Sequence, residues 1–104
     1  MSQHHYQTRD HAGDPVHVLA GWDRPLGYFF LVVERETPEG EAEEVYSNLD
    51  DAGAGLSQVA SFAYYREVLA RLGIEVPEAM IEAIEQDKAH GIGNRSNDWT
   101  AAEA

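Results

Sequence analysis

The sequence predicts an α+β domain: a three-stranded antiparallel β-meander followed by two helices packed on one face, in the order β-β-β-α-α. Three observations carry this. Apolar residues alternate from Val16 to Trp22, the period of a half-buried strand. A run rich in β-branched and aromatic residues begins at Tyr28. From Val59 onward the apolar positions recur at three and four residues, the spacing of a helix face.

The elements follow in chain order. Residues 1–14 are polar, hold three of the five histidines and show no period, so a flexible arm is expected there. Asp14-Pro15 marks the start of order, because the residue before proline is pushed toward extended backbone. The first strand places Val16, Val18, Ala20 and Trp22 on one face, and Asp23-Arg24-Pro25-Leu26-Gly27 ends it with turn chemistry. The second strand, Tyr28 to Glu36, is apolar on both faces as far as Val33. Such a strand is ordinarily covered twice. Two helices cover one side of a small sheet. A second subunit in a homodimer, the arm, or the tail with Trp99 is therefore expected over the other. Thr37-Pro38-Glu39-Gly40-Glu41 forms the next turn, Glu44 to Asn48 a short third strand, and Leu49 to Leu56 a loop with Gly53 and Gly55.

In the first helix Val59, Phe62, Tyr65, Leu69 and Leu72 form one apolar stripe. Ser57 or Ser61 is placed to cap its start, and Gly73 ends it with Ile74 folding back on the last turn. Pro77 opens the second helix at a position that needs no N–H. Met80, Ile81 and Ile84 face inward, Glu78, Glu82 and Glu85 line the outer face, and Gly91 stops the helix. His90, at its end, suits the dipole there. The ordered domain is thus expected over residues 15–95, with a frayed tail at 96–104.

Composition narrows the function. A chain of 104 residues with 43% hydrophobic content supplies one modest core and one domain. With no cysteine, neither disulfides nor thiolate-held metals contribute. No apolar run nears the ~20 residues of a membrane helix, and no basic start precedes an apolar stretch, so a cytoplasmic protein is expected. Charge is the unusual property. Nineteen acids against seven bases leave −12, and eight acids lie between Glu34 and Asp51 with only Arg35 among them. Such a surface repels nucleic acid backbones and anionic membranes, and its natural complement is a protein with a basic surface.

Few motifs suggest chemistry. His4, His5, His11 and His17, with Asp10 and Asp14 nearby, are candidate metal ligands by residue type, but their spacing matches no ligand signature. Gly91-Ile92-Gly93-Asn94-Arg95 follows a helix instead of preceding one, so it reads as a C-cap and not as a phosphate loop. Gly53 to Leu56 lacks the lysine that would reach a phosphate. Neither a Gly-x-Ser-x-Gly elbow nor a His-Glu-x-x-His pair is present, so the sequence leans away from an enzyme and implies no cofactor. Trp22 and Arg24, at a tight turn, are residue types that dominate interfaces, though the sequence leans to the structural alternative in which Trp22 fills the core and Arg24 pairs with a neighbouring carboxylate. Arg95 poses the same choice.

Gly21-Trp22-Asp23-Arg24-Pro25-Leu26, Tyr28-Phe29-Phe30, Ser47-Asn48-Leu49-Asp50-Asp51, the Leu72 to Pro77 joint and Gly93-Asn94-Arg95 together resemble a group of short, acidic bacterial proteins with no assigned activity. The resemblance spans about residues 18 to 95. It implies a bacterial or mobile-element origin and a recurring fold, and carries over no catalytic or binding residue.

The expected function is a small non-catalytic protein-binding module. In its sharpest form it is an inhibitor of the anti-restriction or anti-CRISPR type, whose carboxylates occupy a nucleic-acid groove on the partner. The expected contact residues are Trp22, Arg24, Glu39, Glu41, Glu43, Glu44, Asp50, Asp51, Glu78, Glu82 and Glu85. The alternatives are a metal- or small-molecule-binding protein that uses the N-terminal histidines, and a small enzyme with its pocket at a dimer interface.

Overall fold

A computed structural model of the chain describes residues 2–25, 27–51, 54 and 61–100. Its sheet has five strands: β1 (Ser2–Arg9), β2 (Pro15–Asp23), β3 (Tyr28–Glu36), β4 (Ala42–Ser47) and β5 (Arg95–Asp98). Two helices, α1 (Ala63–Arg71) and α2 (Glu78–Ala89), lie between β4 and β5 in sequence. The strand order is β4-β3-β2-β1-β5. β1 to β4 form an antiparallel meander, and β5 returns to pair parallel with β1.

The α+β class and the meander agree with the sequence reading, but the strand count is corrected from three to five. The additions come from the segments read as a flexible arm and a frayed tail. Ser2–Arg9 pairs with β2 along its length, from His4 opposite Ala20 to Arg9 opposite Pro15. Arg95–Asp98 pairs with Ser2 to His5. Residues 2–6 do alternate in burial, but their inward positions are Ser2, His4 and Tyr6, so hydropathy shows no period.

The predicted turns and strands fit closely. β2 buries Val16, Val18, Ala20 and Trp22, and β3 buries Phe29, Leu31 and Val33 on the same face. Between them Gly27 takes φ +72° and its N–H closes on the Asp23 carbonyl. α1 packs Phe62 and Tyr65 beside Phe29, while α2 lies across β1 and β2 and seals the core with Met80, Ile81 and Ile84. Ile74 N–H bonds the Leu69 carbonyl past Gly73, and Ile92 N–H bonds the Asp87 carbonyl past Gly91, the paired closures of two Schellman ends. Pro77 differs by one position: it is the extended N-cap of α2, and Glu78 is the first helical residue. Ser61 Oγ accepts the Ala63 N–H at 3.1 Å. The proposed Ser57 cap and Val59 stripe position lie outside the described residues.

On the far side of the sheet Leu19 faces Val32 and Gly21 faces Phe30. Among the described residues no helix covers this face. Phe30 is nevertheless buried, its ring lying over Gly21. A Cβ at Gly21 would stand 2.1 Å from the Ser2 backbone oxygen, so a glycine is required where β1 crosses.

Candidate functional site

Four arrangements bring chemistry-bearing side chains together. The largest is a groove between the two helices. One end is fixed by Glu85 of α2, whose carboxylate accepts the Phe62 backbone N–H at 2.8 Å and caps α1 from across the interface. Further along, Arg66 of α1 donates to the Glu78 carboxylate. On either side of this ion pair lies an open cleft, one of about 410 Å³ and the other of about 390 Å³. Arg66 and Ile81 line both. Phe62 completes the apolar floor of the first, and Leu69, Ile74 and Val76 that of the second. Exposed Glu82 and Glu85 border the first, and Glu75 and Glu78 the second. The predicted acidic row on α2 is therefore one wall of an apolar groove, and not just a solvated helix face.

The second arrangement is the acidic β3–β4 hairpin. Glu39, Glu41, Glu43 and Glu44 are exposed and form no ion pair among the described residues. Glu44 stands opposite Glu34 beside a register shift, a like-charge pair that raises the local negative potential. Glu44, Asp50 and Asp51 border a cleft of about 250 Å³ with Tyr46. Asp51 is committed to the fold, since one carboxylate oxygen accepts from both Tyr46 and Tyr64 hydroxyls at 2.7 Å. Burial, then that bond, pushes the Tyr46 phenol up from its usual range; for Tyr64 the bond to Asp51 comes first. These carboxylates have an ordinary structural role as well: β4 is a sheet edge, and charges on an edge discourage pairing with other chains.

The third arrangement is a buried relay that sequence reasoning missed. His4 and Asp87 are both 0% exposed, and the His4 Nε2–H donates to Asp87 at 2.6 Å. The other Asp87 oxygen accepts from Arg95 at 2.9 Å. Trp99 Nε1–H donates to His4 Nδ1 at 2.8 Å. An indole is only a donor, so His4 Nδ1 must be an acceptor and the ring is the neutral Nε2–H tautomer. Every polar atom of the His4 ring and both Asp87 oxygens are thereby occupied within the protein. The relay ties β1, α2 and β5 together. Its signal in the sequence was Asp87, three positions after Ile84 on the buried stripe, where a carboxylate demands a partner.

The fourth is a histidine pair on the sheet face opposite the helices. His5 Nδ1 and His17 Nε2 lie 3.1 Å apart, within hydrogen-bond distance, in nearly parallel rings. Burial first, and then His17, lowers the His5 pKa, against the opposing pull of Asp98. Asp98 itself is held low by the Thr100 backbone N–H. His17 approaches Glu34 at 3.8 Å, and exposed His11 approaches Glu75 at 3.6 Å. The four candidate ligands His4, His5, His11 and His17 thus serve three separate surroundings. Among the described residues no three His, Asp or Glu side chains converge as metal ligands.

Of the two candidate interface residues at the first turn, Trp22 fills the core at 9% exposure against Phe29, which is the structural alternative seen in the sequence. Arg24 is exposed and leans on Gly93. Among the described residues no helix is long and apolar enough to cross a membrane. No protein-family model, curated protein or solved structure matches the chain.

Proposed function

We propose that this chain is a non-catalytic protein-binding module whose partner presents a basic surface. The observation that carries the reading is the wall of exposed carboxylates, Glu75, Glu78, Glu82 and Glu85, set along an apolar groove. Charge provides long-range attraction, and exposed Ala63 and Ala70 with half-buried Val76 along the clefts provide apolar area to bury once the partner arrives. The hairpin carboxylates add to the attraction from the β4 edge. The sharper form, an inhibitor that replaces nucleic acid phosphates, requires the α2 and hairpin carboxylates to act as one strip. The broader form requires only that each recognise positive charge. The histidine-based alternative has less support, because His4 is locked in the relay and His5 and His17 are bonded to each other.

Surface plasmon resonance with immobilised oligo-lysine and oligo-glutamate, over NaCl from roughly 0.05 to 0.5 M, tests the reading. Oligo-lysine is expected to bind with an on-rate that falls steeply as salt rises, and oligo-glutamate not at all. Equal responses to both, or an oligo-lysine complex indifferent to salt, contradict it.

A further inference from the structure

We infer that the groove between α1 and α2 receives one amphipathic helix of a basic partner, its apolar stripe over Ala63, Ala70 and Val76 and its Lys or Arg flank against the α2 carboxylates. This rests on the reading above and adds the place and form of docking. Shape, spacing and charge each bear on it.

The groove is bounded by two helices whose backbone groups are spent on their own turns, so neither wall offers a ladder to an incoming strand. That leaves docking through side chains, the mode in which a helix lies in an apolar trough. α1 has nine residues, about 13 Å of length, which fits two to three turns of a partner helix. Ala63 and Ala70 are exposed, border the two clefts, and stand seven positions apart on α1. Their small side chains leave room for the larger apolar residues of a neighbour.

Charge then selects the partner. Glu78, Glu82 and Glu85 fall at i, i+4 and i+7, spread over about 10 Å along one side of the trough. Basic residues repeating at three and four on a partner helix meet that row, as flanking charges do between coiled-coil helices. An acidic helix of the same shape would be repelled. Arg66 is the arginine in the trough and already faces Glu78, so it separates the two clefts and competes with an incoming cation for that carboxylate. Removing it is therefore expected to improve binding.

The test is fluorescence anisotropy with three labelled probes: a synthetic amphipathic helix of about 18 residues with a leucine stripe flanked by Lys and Arg, a shuffled peptide of the same composition, and oligo-lysine of equal charge. The wild-type chain is compared with Ala63→Trp/Ala70→Trp, which fills both clefts at unchanged charge, and with Arg66→Gln. Circular dichroism establishes that each variant is folded. The amphipathic probe is expected to bind about tenfold tighter than the shuffled one, to lose about that factor in the double-Trp variant, and to gain severalfold in Arg66→Gln. With the fold of Arg66→Gln established by circular dichroism, a gain in that variant that exceeds its gain for oligo-lysine stands even if the tryptophans perturb the helices. Equal binding of amphipathic and shuffled probes, or indifference to both variants, overturns the groove and leaves the basic-partner reading intact. Failure of all three probes to bind at low salt removes that reading, and the groove with it.

Discussion

At His4 the indole of Trp99 and the carboxylate of Asp87 specify one tautomer, and each hydrogen bond fixes the direction of the next. Such a chain is sensitive to which member is lost. Asp87→Ala strands the Arg95 guanidinium and leaves the His4 Nε2–H without an acceptor in a fully enclosed place. A loss of about 2–4 kcal/mol is expected in urea unfolding, from the lost hydrogen bonds to a carboxylate and the unsatisfied buried donor. Trp99→Phe keeps a ring over His4 but removes one donor, and about 1–3 kcal/mol is expected. Equal effects would mean that the relay is not organised around Asp87. The His5–His17 pair makes a different prediction. The folded-state pKa of His5 lies below the ordinary value of 6.5, so at this residue the unfolded chain takes up a proton first as pH falls. Any stability due to neutral His5 is therefore present above pH 6.5 and declines as pH falls toward its lowered folded value. Urea midpoints measured from about pH 7.5 to 5 should fall less in His5→Gln than in the wild-type chain.

Elements differ in how openly they declare themselves. β2, β3 and both helices were legible because apolar side chains fill most of their buried positions, β2 and the helices declaring themselves by period and β3 by its β-branched and aromatic content. The glycine ends at Gly73 and Gly91 were legible for a related reason: a positive φ has few tenants. β1 and β5 were not. The inward positions of β1 hold Ser2 and His4, made soluble in the core by hydrogen bonds to Trp22 N–H, Asp87 and Trp99. No local pattern announces partners more than eighty residues away. β5 is short and polar throughout, Arg95-Ser96-Asn97-Asp98, and exists because β1 offers it an edge and Asp87 holds its arginine. If so, the two elements depend on each other. A chain ending at Asn94 is expected to lose about 3 kcal/mol or more, since it takes away both Arg95 and Trp99. Hydrogen exchange should quicken along β1 in that chain while β3 stays protected. Unchanged protection of β1 would show that β2 alone holds it.

For the whole molecule, a net charge of −12 is a cost to folding that has been distributed and not cancelled. Arg35, Arg66 and Arg95 are spent on Asp10 and Asp14, Glu78 and Asp87, which leaves the hairpin and most of the α2 row to face solvent. The sequence disclosed that charge and its position on an outer helix face. It could not disclose the groove, since no local pattern shows that Glu85 reaches across to cap α1 and sets the two helices side by side. Nor could it place Trp22, whose burial removes it from the expected contact surface. Two sets of carboxylates remain, and they can be compared at equal charge. The direct measurement is the association rate of oligo-lysine at low salt with Glu78→Gln/Glu82→Gln/Glu85→Gln and with Glu39→Gln/Glu41→Gln/Glu43→Gln. Glutamine at position 85 keeps an oxygen for the Phe62 N–H, so the groove is retained. The α2 variant is expected to slow association about tenfold and the hairpin variant less. An α2 variant that associates as fast as the wild-type chain would contradict the account.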